Sequence, residues 1–348
     1  MTVVLGFVVY VVACVLFDLC EPDFADCKSD DIYRQFPACD RIIDDLEAPP
    51  KHRAVAFNRR GEIYLAFHSH QRAIDYFSKA IELVPDFADA LNNRGIALHA
   101  TGAIDLAIAD YNEALRHQPR HADAYGNRGF AYHDKKDYPR AIDDFNQAIR
   151  LNPKHATAYY NMGNTYSAMR DAKRALDAFD QSIQINPYNA SAYNNRGLSH
   201  HGVRNFERAI ADFTEAIELK PRHASAYFNR CRTHYAVAAH DRAFGDCTNA
   251  ILIDGRYGAA FNLRGLAQYS SGQDSGAISD FSEAIWLDPR DALAYNNRGM
   301  AHDRMGDFKR AIADYDEAIL LDPNDDTAHE NRARSYREMG RRKRSTPD

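Results

Sequence analysis

A period of 34 residues constrains this chain more than any other feature. Glycine recurs at that interval at Gly61, Gly95, Gly129, Gly163, Gly197, Gly265 and Gly299, with Cys231 in the one remaining place. Twelve residues later an alanine follows in all eight units: Ala73, Ala107, Ala141, Ala175, Ala209, Ala243, Ala277 and Ala311. Four further on, seven units carry an aromatic ring: Phe77, Tyr111, Phe145, Phe179, Phe213, Phe281 and Tyr315. Proline closes seven units, at Pro85, Pro119, Pro153, Pro187, Pro221, Pro289 and Pro323, and Gly255 closes the other. Such register implies a stack of like units, none able to bury its apolar stripe alone.

These small, aromatic and proline positions are similar to those of the tetratricopeptide repeat, a 34-residue helix-turn-helix unit. The resemblance implies an all-α fold, a right-handed superhelical solenoid of eight repeats at 54–87, 88–121, 122–155, 156–189, 190–223, 224–257, 258–291 and 292–325. Within a unit, a first helix is expected over roughly positions 2 to 14 and a second over roughly 18 to 31. Gly102, Gly272 and Gly306 supply turns between them. Proline at position 32 cannot continue a helix and restricts the residue before it, so it ends the second helix. Asp86, Asn189, Asp291 and Asn324 suit the junctions as turn or capping residues.

The flanks differ from the array. Residues 1–20 include an uncharged run, Thr2 to Phe17, which is shorter than the roughly twenty residues a membrane-spanning helix needs. It reads better as a signal peptide or short membrane anchor, although no Lys or Arg precedes it. That places the protein as exported, periplasmic or membrane-anchored; a helix packed on the first repeat of a cytoplasmic protein is the alternative. Residues 21–53 form a capping segment in which Ile32, Phe36, Cys39, Ile42, Ile43 and Leu46 make one apolar helical stripe. Cys27 and Cys39 are a possible disulfide, which would need an oxidising compartment. Residues 326–348 carry a polar capping helix and a basic tail, Arg341 to Arg344.

Two substitution patterns report on packing. Glycine at position 8 and alanine at position 20 let the helices of a unit approach while the ring at position 24 fills the space beside them. The sixth unit has Cys231 at position 8 and Cys247 at position 24, either a volume exchange or a second disulfide. Position 7 is arginine in seven units and position 23 aspartate in six. Pairing within a unit gives Arg94 with Asp110, Arg128 with Asp144, Arg196 with Asp212, Arg230 with Asp246, Arg264 with Asp280 and Arg298 with Asp314. Met162 and Ala178 replace both members together in the fourth unit, and Arg60 faces Tyr76 in the first. Pairing with the preceding unit fits less well, so an intra-repeat structural ion pair is expected.

In arrays resembling this one, first helices line a concave surface, which makes positions 2, 6, 9 and 13 the candidate binding face. Position 6 is Asn93, Asn127, Asn161, Asn195, Asn229 and Asn297, and again Asn331 in the cap; Arg59 and Leu263 depart. The series resembles the asparagine ladder of superhelical arrays, whose carboxamides can pair with the main chain of an extended peptide. Between them Ile96, Phe130, Leu198, Leu266 and Met300 at position 9 would form apolar pockets. Solvation of the inner face or bonding to neighbouring helices is the alternative role for the asparagines. Lysines for a carboxylate clamp are missing. Histidines at positions 11 and 12 fall a helix width apart in successive units, too far for a shared metal, so no metal or cofactor is expected.

The sequence therefore predicts a non-catalytic interaction scaffold that takes a protein or extended peptide in the concave groove. No phosphate-cradling glycine loop, zinc helix or nucleophile elbow is present, so no enzyme is expected. A net charge of −6 argues against nucleic acid as partner. A substrate-selecting or assembly subunit of an enzyme complex is the alternative; an RNA-binding helical repeat fits less well. Membrane association through the N-terminus is a possible further contact.

Overall fold

A computed structural model describes residues 22–29 and 31–345, with side chains placed for 23–29, 31 and 35–341. The segment expected to be a signal or anchor, residues 1–20, lies outside them. Among the described residues there are nineteen helices and no strand. They form two compact units, one ending at Met169 and the other beginning at Arg170.

The first unit starts with two short helices, Pro22–Cys27 and Ile32–Asp44. Repeats one to three follow as the pairs Pro50–Ala66 with His70–Leu83, Ala88–Ala100 with Ile104–His117, and Ala122–Asp134 with Tyr138–Leu151; Ala156–Ala168 is the first helix of repeat four. The second unit opens with the second helix of that repeat, Ala172–Ile185. It continues with Ala190–Gly202 and Phe206–Leu219, Ala224–Ala236 and His240–Ile253, Gly258–Ser270 and Asp274–Leu287, and Ala292–Arg304 and Phe308–Leu321. A terminal helix, Asp326–Ser345, closes it.

From repeat two onward the first helices fill positions 1 to 13 and the second helices positions 17 to 30, one residue earlier than periodicity predicts. Position 34 supplies an N-cap where chemistry allows: Asn189 Oδ1 accepts from the Ser191 and Ala192 amides, and Asp291 Oδ1 from Ala294. Asp86 and Asn324 do not cap; Phe87 and Asp325 stand at those junctions, and Asp325 Oδ1 accepts from the Thr327 and Ala328 amides. Position 31, before the proline, is already extended, as at Gln118 with φ −129° and ψ 83°. In the first repeat the helix starts earlier, at Pro50, because proline suits the first helical turn.

Position 15 turns the chain between the helices in a left-handed conformation. Gly102, Gly272 and Gly306 do so as expected, with φ from +79° to +84°. His68, Lys136, Arg170, Arg204 and Ala238 adopt the same conformation with φ from 56° to 61°, at a cost on the order of 1 kcal/mol each. What offsets it is the hydrogen bonding of the helix end. In repeat two the Ala103 amide donates to Leu98 O at 3.0 Å and the Gly102 amide to His99 O at 2.9 Å, the paired bonds of a Schellman motif.

In repeats one to three, five, seven and eight the core is the ring at position 24 against the glycine at position 8. A Cβ on Gly197 would lie 2.7 Å from Phe213 Cε1, and on Gly265 2.7 Å from Phe281 Cε1. In repeat six the two cysteines occupy this space as a bonded pair, Cys231 with Cys247, both fully buried. Cys27 and Cys39 are likewise joined, in a cluster with Phe24, Ala38, Ile42, Ala48 and Ala56 that forms the N-terminal cap.

Candidate functional site

Six of the position 7 arginines hold three helices rather than two. Nε and Nη2 donate to both oxygens of the position 23 aspartate sixteen residues on, at 2.6–3.0 Å, for Arg94 and Asp110, Arg128 and Asp144, Arg196 and Asp212, Arg230 and Asp246, Arg264 and Asp280, and Arg298 and Asp314. The remaining Nη1 reaches position 25 of the preceding second helix: Ser78, Asn112, Asp180, Thr214, Thr248 and Ser282 accept at 2.7–3.3 Å. Arg332 of the terminal helix makes the same bond to Asp316 at 2.7 Å. The aspartates are buried. Burial pushes the Asp144 carboxyl up while Arg128 pulls it down. Arg196 keeps its charge more firmly than usual: burial opposes it, but bonds to Asp212 and Asp180 outweigh that opposition. Arg60, which faces Tyr76, turns to the cap, with Nε 3.1 Å from Asp40 and its guanidinium 3.4 Å above the Phe36 ring.

The asparagines at position 6 bind to one another's neighbours. Nδ2 of Asn93, Asn127, Asn229, Asn297 and Asn331 donates to Oδ1 of the position 5 asparagine in the preceding repeat, Asn58, Asn92, Asn194, Asn262 and Asn296, at 2.9–3.2 Å. Asn161 follows Gly126 at position 5 and so has no such acceptor; Asn195 is half-buried and pairs through Oδ1 with Asn194 Nδ2 at 3.0 Å. Where position 5 is Phe228, the next position 6 is Leu263, and both pack on the Cys231–Cys247 cluster. Five boundaries thus carry an amide pair and one, between repeats six and seven, an apolar pair. Asn93 gives its second N–H to Glu62 Oε1 at 3.1 Å; a carboxamide that makes one such bond retains a second N–H.

Of the position 9 residues, Phe130 is 38% exposed and flanked by the rings of His99 and His133. Ile96, Leu198, Leu266 and Met300 are half-buried; Ile96 packs against Ala107, Tyr111 and Ala131, and Leu266 against Ala277, Phe281 and Ala301. In the first unit a cavity of ≈ 410 Å³ opens on the first-helix face, between Val55, Glu62, Phe87, Asp89, Asn92 and Asp123 among others. Its carboxylates are held in place. Hydrogen bonding to His121 and to His155, each at 3.2 Å, keeps the Asp89 and Asp123 carboxyls below the usual carboxylate range.

The histidines at position 12 are bound to the next repeat. His133 Nδ1 lies 2.9 Å from Thr165 Oγ1, His201 Nδ1 2.9 Å from Thr233 Oγ1, and His99 Nε2 2.9 Å from Asp134. Among the described residues no three His, Cys, Asp or Glu side chains gather as a metal site.

Three models of the tetratricopeptide repeat match the chain, one over 122–155, 156–189, 190–223 and 292–325, another over 58–116, and a third over 97–136 and 265–306. The chain is a tetratricopeptide repeat (TPR) protein. Solved structures agree on the fold. A chain of the APC/C hetero-tetramer Cut9-Hcn1 is 14% identical with a TM-score of 0.58, covering 90% of this chain and 62% of its own length. Pseudomonas aeruginosa pilF is 20% identical with a TM-score of 0.54, over 59% of this chain and 94% of its own. A TPR protein from Parabacteroides merdae is 18% identical with a TM-score of 0.52, over 72% of this chain and 98% of its own. The TPR chain thus spans less than two thirds of the first of these. No curated protein sequence matches it. TPR arrays are protein-interaction scaffolds, and the fold is generally non-catalytic.

Proposed function

We propose that this TPR protein binds an extended peptide or a partner's extended segment along the face of its first helices. The observation that carries the reading is the cavity of ≈ 410 Å³ lined by positions 2, 5, 6 and 9 of successive first helices, by Phe87 and His121 at the junctions before them and by Lys28 of the cap, within the size range of ligand sites. Val55 and Phe87 offer it apolar surface, and Asn92 and Asn93 are fixed by bonds along the array. A groove whose polar groups are already oriented loses little side-chain entropy on binding. Extended peptides selected from a random library against the full chain should protect the amides of Ala88–Ala100 and Ala122–Asp134 from hydrogen exchange. Replacing Asp123→Lys together with Phe130→Ala should weaken them about tenfold, roughly 1.4 kcal/mol. Peptides that protect the second helices instead, or that ignore these changes, would overturn the reading.

We also propose that the protein works outside the cytosol, in an oxidising compartment. The pairing of Cys27 with Cys39 and of Cys231 with Cys247 supports this. Intact mass and thiol titration of the chain expressed with its own N-terminus should find the first residues removed, roughly 13–25 of them, and these four thiols oxidised. A full-length product with every thiol reduced would sink the proposal.

A further inference from the structure

Position 29 lies on the outward side of the second helix and is exposed in all eight repeats. In repeats one to five it is Glu82, Arg116, Arg150, Gln184 and Glu218; in repeats six to eight it is Leu252, Trp286 and Leu320. These three are 77%, 75% and 73% exposed, among the most exposed large apolar side chains described. Trp286 is the only tryptophan of the chain. The second helices that carry them are tied together through the first helices between them. Arg264 touches Thr248 on one and Asp280 on the next, and Arg298 touches Ser282 and Asp314. The three side chains therefore stand at one register on successive second helices, as a row of apolar points centred on Trp286.

We propose that this stripe is the contact surface of a homodimer, with a two-fold axis through Trp286. A two-fold contact requires a patch complementary to its own rotated image, and the residues around the stripe meet that condition. Rotation sets Trp286 against itself and Leu252 against the second copy's residue 320. The same rotation exchanges the side of the stripe one helical turn before it, position 26, with the turn just after the helix end, position 33. Position 26 is Asn249, Glu283 and Glu317, and position 33 is Arg256, Arg290 and Asn324, all exposed. Glu283 then faces residue 290 of the second copy, and Glu317 faces residue 256. Asn249 faces residue 324. Each acid meets a base and the amides meet each other, whereas the unrotated stripe has no such match with a flat apolar or anionic surface. In the single chain, Glu283, Glu317, Arg256 and Arg290 make no side-chain ion pair among the described residues. Position 22 adds small residues beside the stripe, Gly245, Ser279 and Ala313, that let a second copy approach. Three side chains and their charged flanks make a contact no larger than the low end of specific interfaces, about 1,200 Å² in total, so a weak, concentration-dependent dimer is expected.

Sedimentation velocity of the full chain across a concentration series, read together with the emission of Trp286, tests the assignment. A monomer–dimer equilibrium is expected, with the emission moving to shorter wavelength as dimer forms. Trp286→Glu should abolish it with the far-ultraviolet circular dichroism unchanged. Glu283→Arg and Arg290→Glu should each weaken association at least tenfold, and the two together should restore it, because the rotated pair is rebuilt with its charges exchanged. Association that survives Trp286→Glu, or a double variant no better than the single ones, would overturn the proposal. So would emission that is independent of concentration but shifts on phosphatidylcholine vesicles, which would make a lipid surface the occupant.

Discussion

The fifth and sixth repeats share a backbone course and differ in how their two helices are held together. In the fifth, Gly197 leaves room for the Phe213 ring, and contact is purely van der Waals. In the sixth, Cys231 and Cys247 take those two places and are covalently joined. Both keep the arginine clamp, Arg196 on Asp212 and Asp180, and Arg230 on Asp246 and Thr214. The amide exchange also changes around the sixth repeat, where Phe228 and Leu263 stand in for an asparagine pair. The comparison teaches that position 8, position 24 and the adjoining position 5–6 contact form one packing unit. Enlarging the residue at position 8 is tolerated only when the partner across the helix pair shrinks.

Breaking the clamp should separate the two repeats most clearly. Arg196→Met leaves Asp212 buried and unpaired and should destabilise the protein by about 3 kcal/mol, the lower end for buried pairs, in urea unfolding. Arg230→Met should cost less while the sixth repeat's bridge is intact and about the same once it is reduced. A melting point untouched by Arg196→Met but lowered when Asp212→Ala is added would refute the pairing. Reduction itself opens a loop with a sequence separation of 16, worth about 3 kcal/mol by chain entropy. Converting the sixth repeat to the fifth with Cys231→Gly and Cys247→Phe should remove the part of the reductant sensitivity seen by hydrogen exchange in Ala224–Ile253. Gly197→Ala, which drives a methyl group into Phe213, should cost about 1–3 kcal/mol, and adding Phe213→Leu should recover part of it in the same melt.

The smallest effect expected is one of pH. Burial pushes the His200, His234 and His302 imidazoles below their ordinary value of 6.5, against the pull of Asp212, Asp246 and Asp314 and with the help of nearby arginines. The unfolded chain then binds protons that the folded one refuses, so stability is complete above about pH 6.5 and falls as pH drops from there towards the lowered folded values. His200→Tyr, the residue that Tyr132 places at the same position, should flatten that slope for the fifth repeat in melts between pH 7 and 5.

Periodicity carries the fold because glycine, alanine, ring and proline each answer a steric demand within one unit. The arginine–aspartate register is open to the same reasoning, since both members change together at Met162 and Ala178. The third contact, from Nη1 to position 25, is hidden because serine, threonine, asparagine and aspartate all accept a hydrogen bond and leave no single letter in the column. The asparagines show a related limit. Read at position 6 alone they suggest a ladder facing a ligand; read with position 5 one repeat earlier, Phe228 before Leu263 reveals that they also pair across the repeat boundary. Left-handed turns at His68 or Arg204 leave no trace either, because hydrogen bonds at the helix end decide them.

The third arm of each arginine gives the array a direction. Every clamp looks back towards the N-terminus, so trimming repeats from the C-terminal end removes the donors that reach back and leaves each remaining arginine with its full set of partners. Trimming from the N-terminal end leaves a guanidinium reaching for a helix that is gone, and Arg60 shows how the natural end is sealed, by Asp40 and Phe36. A chain built this way can lengthen by duplication at its tail without redesign, while its head needs a dedicated lid.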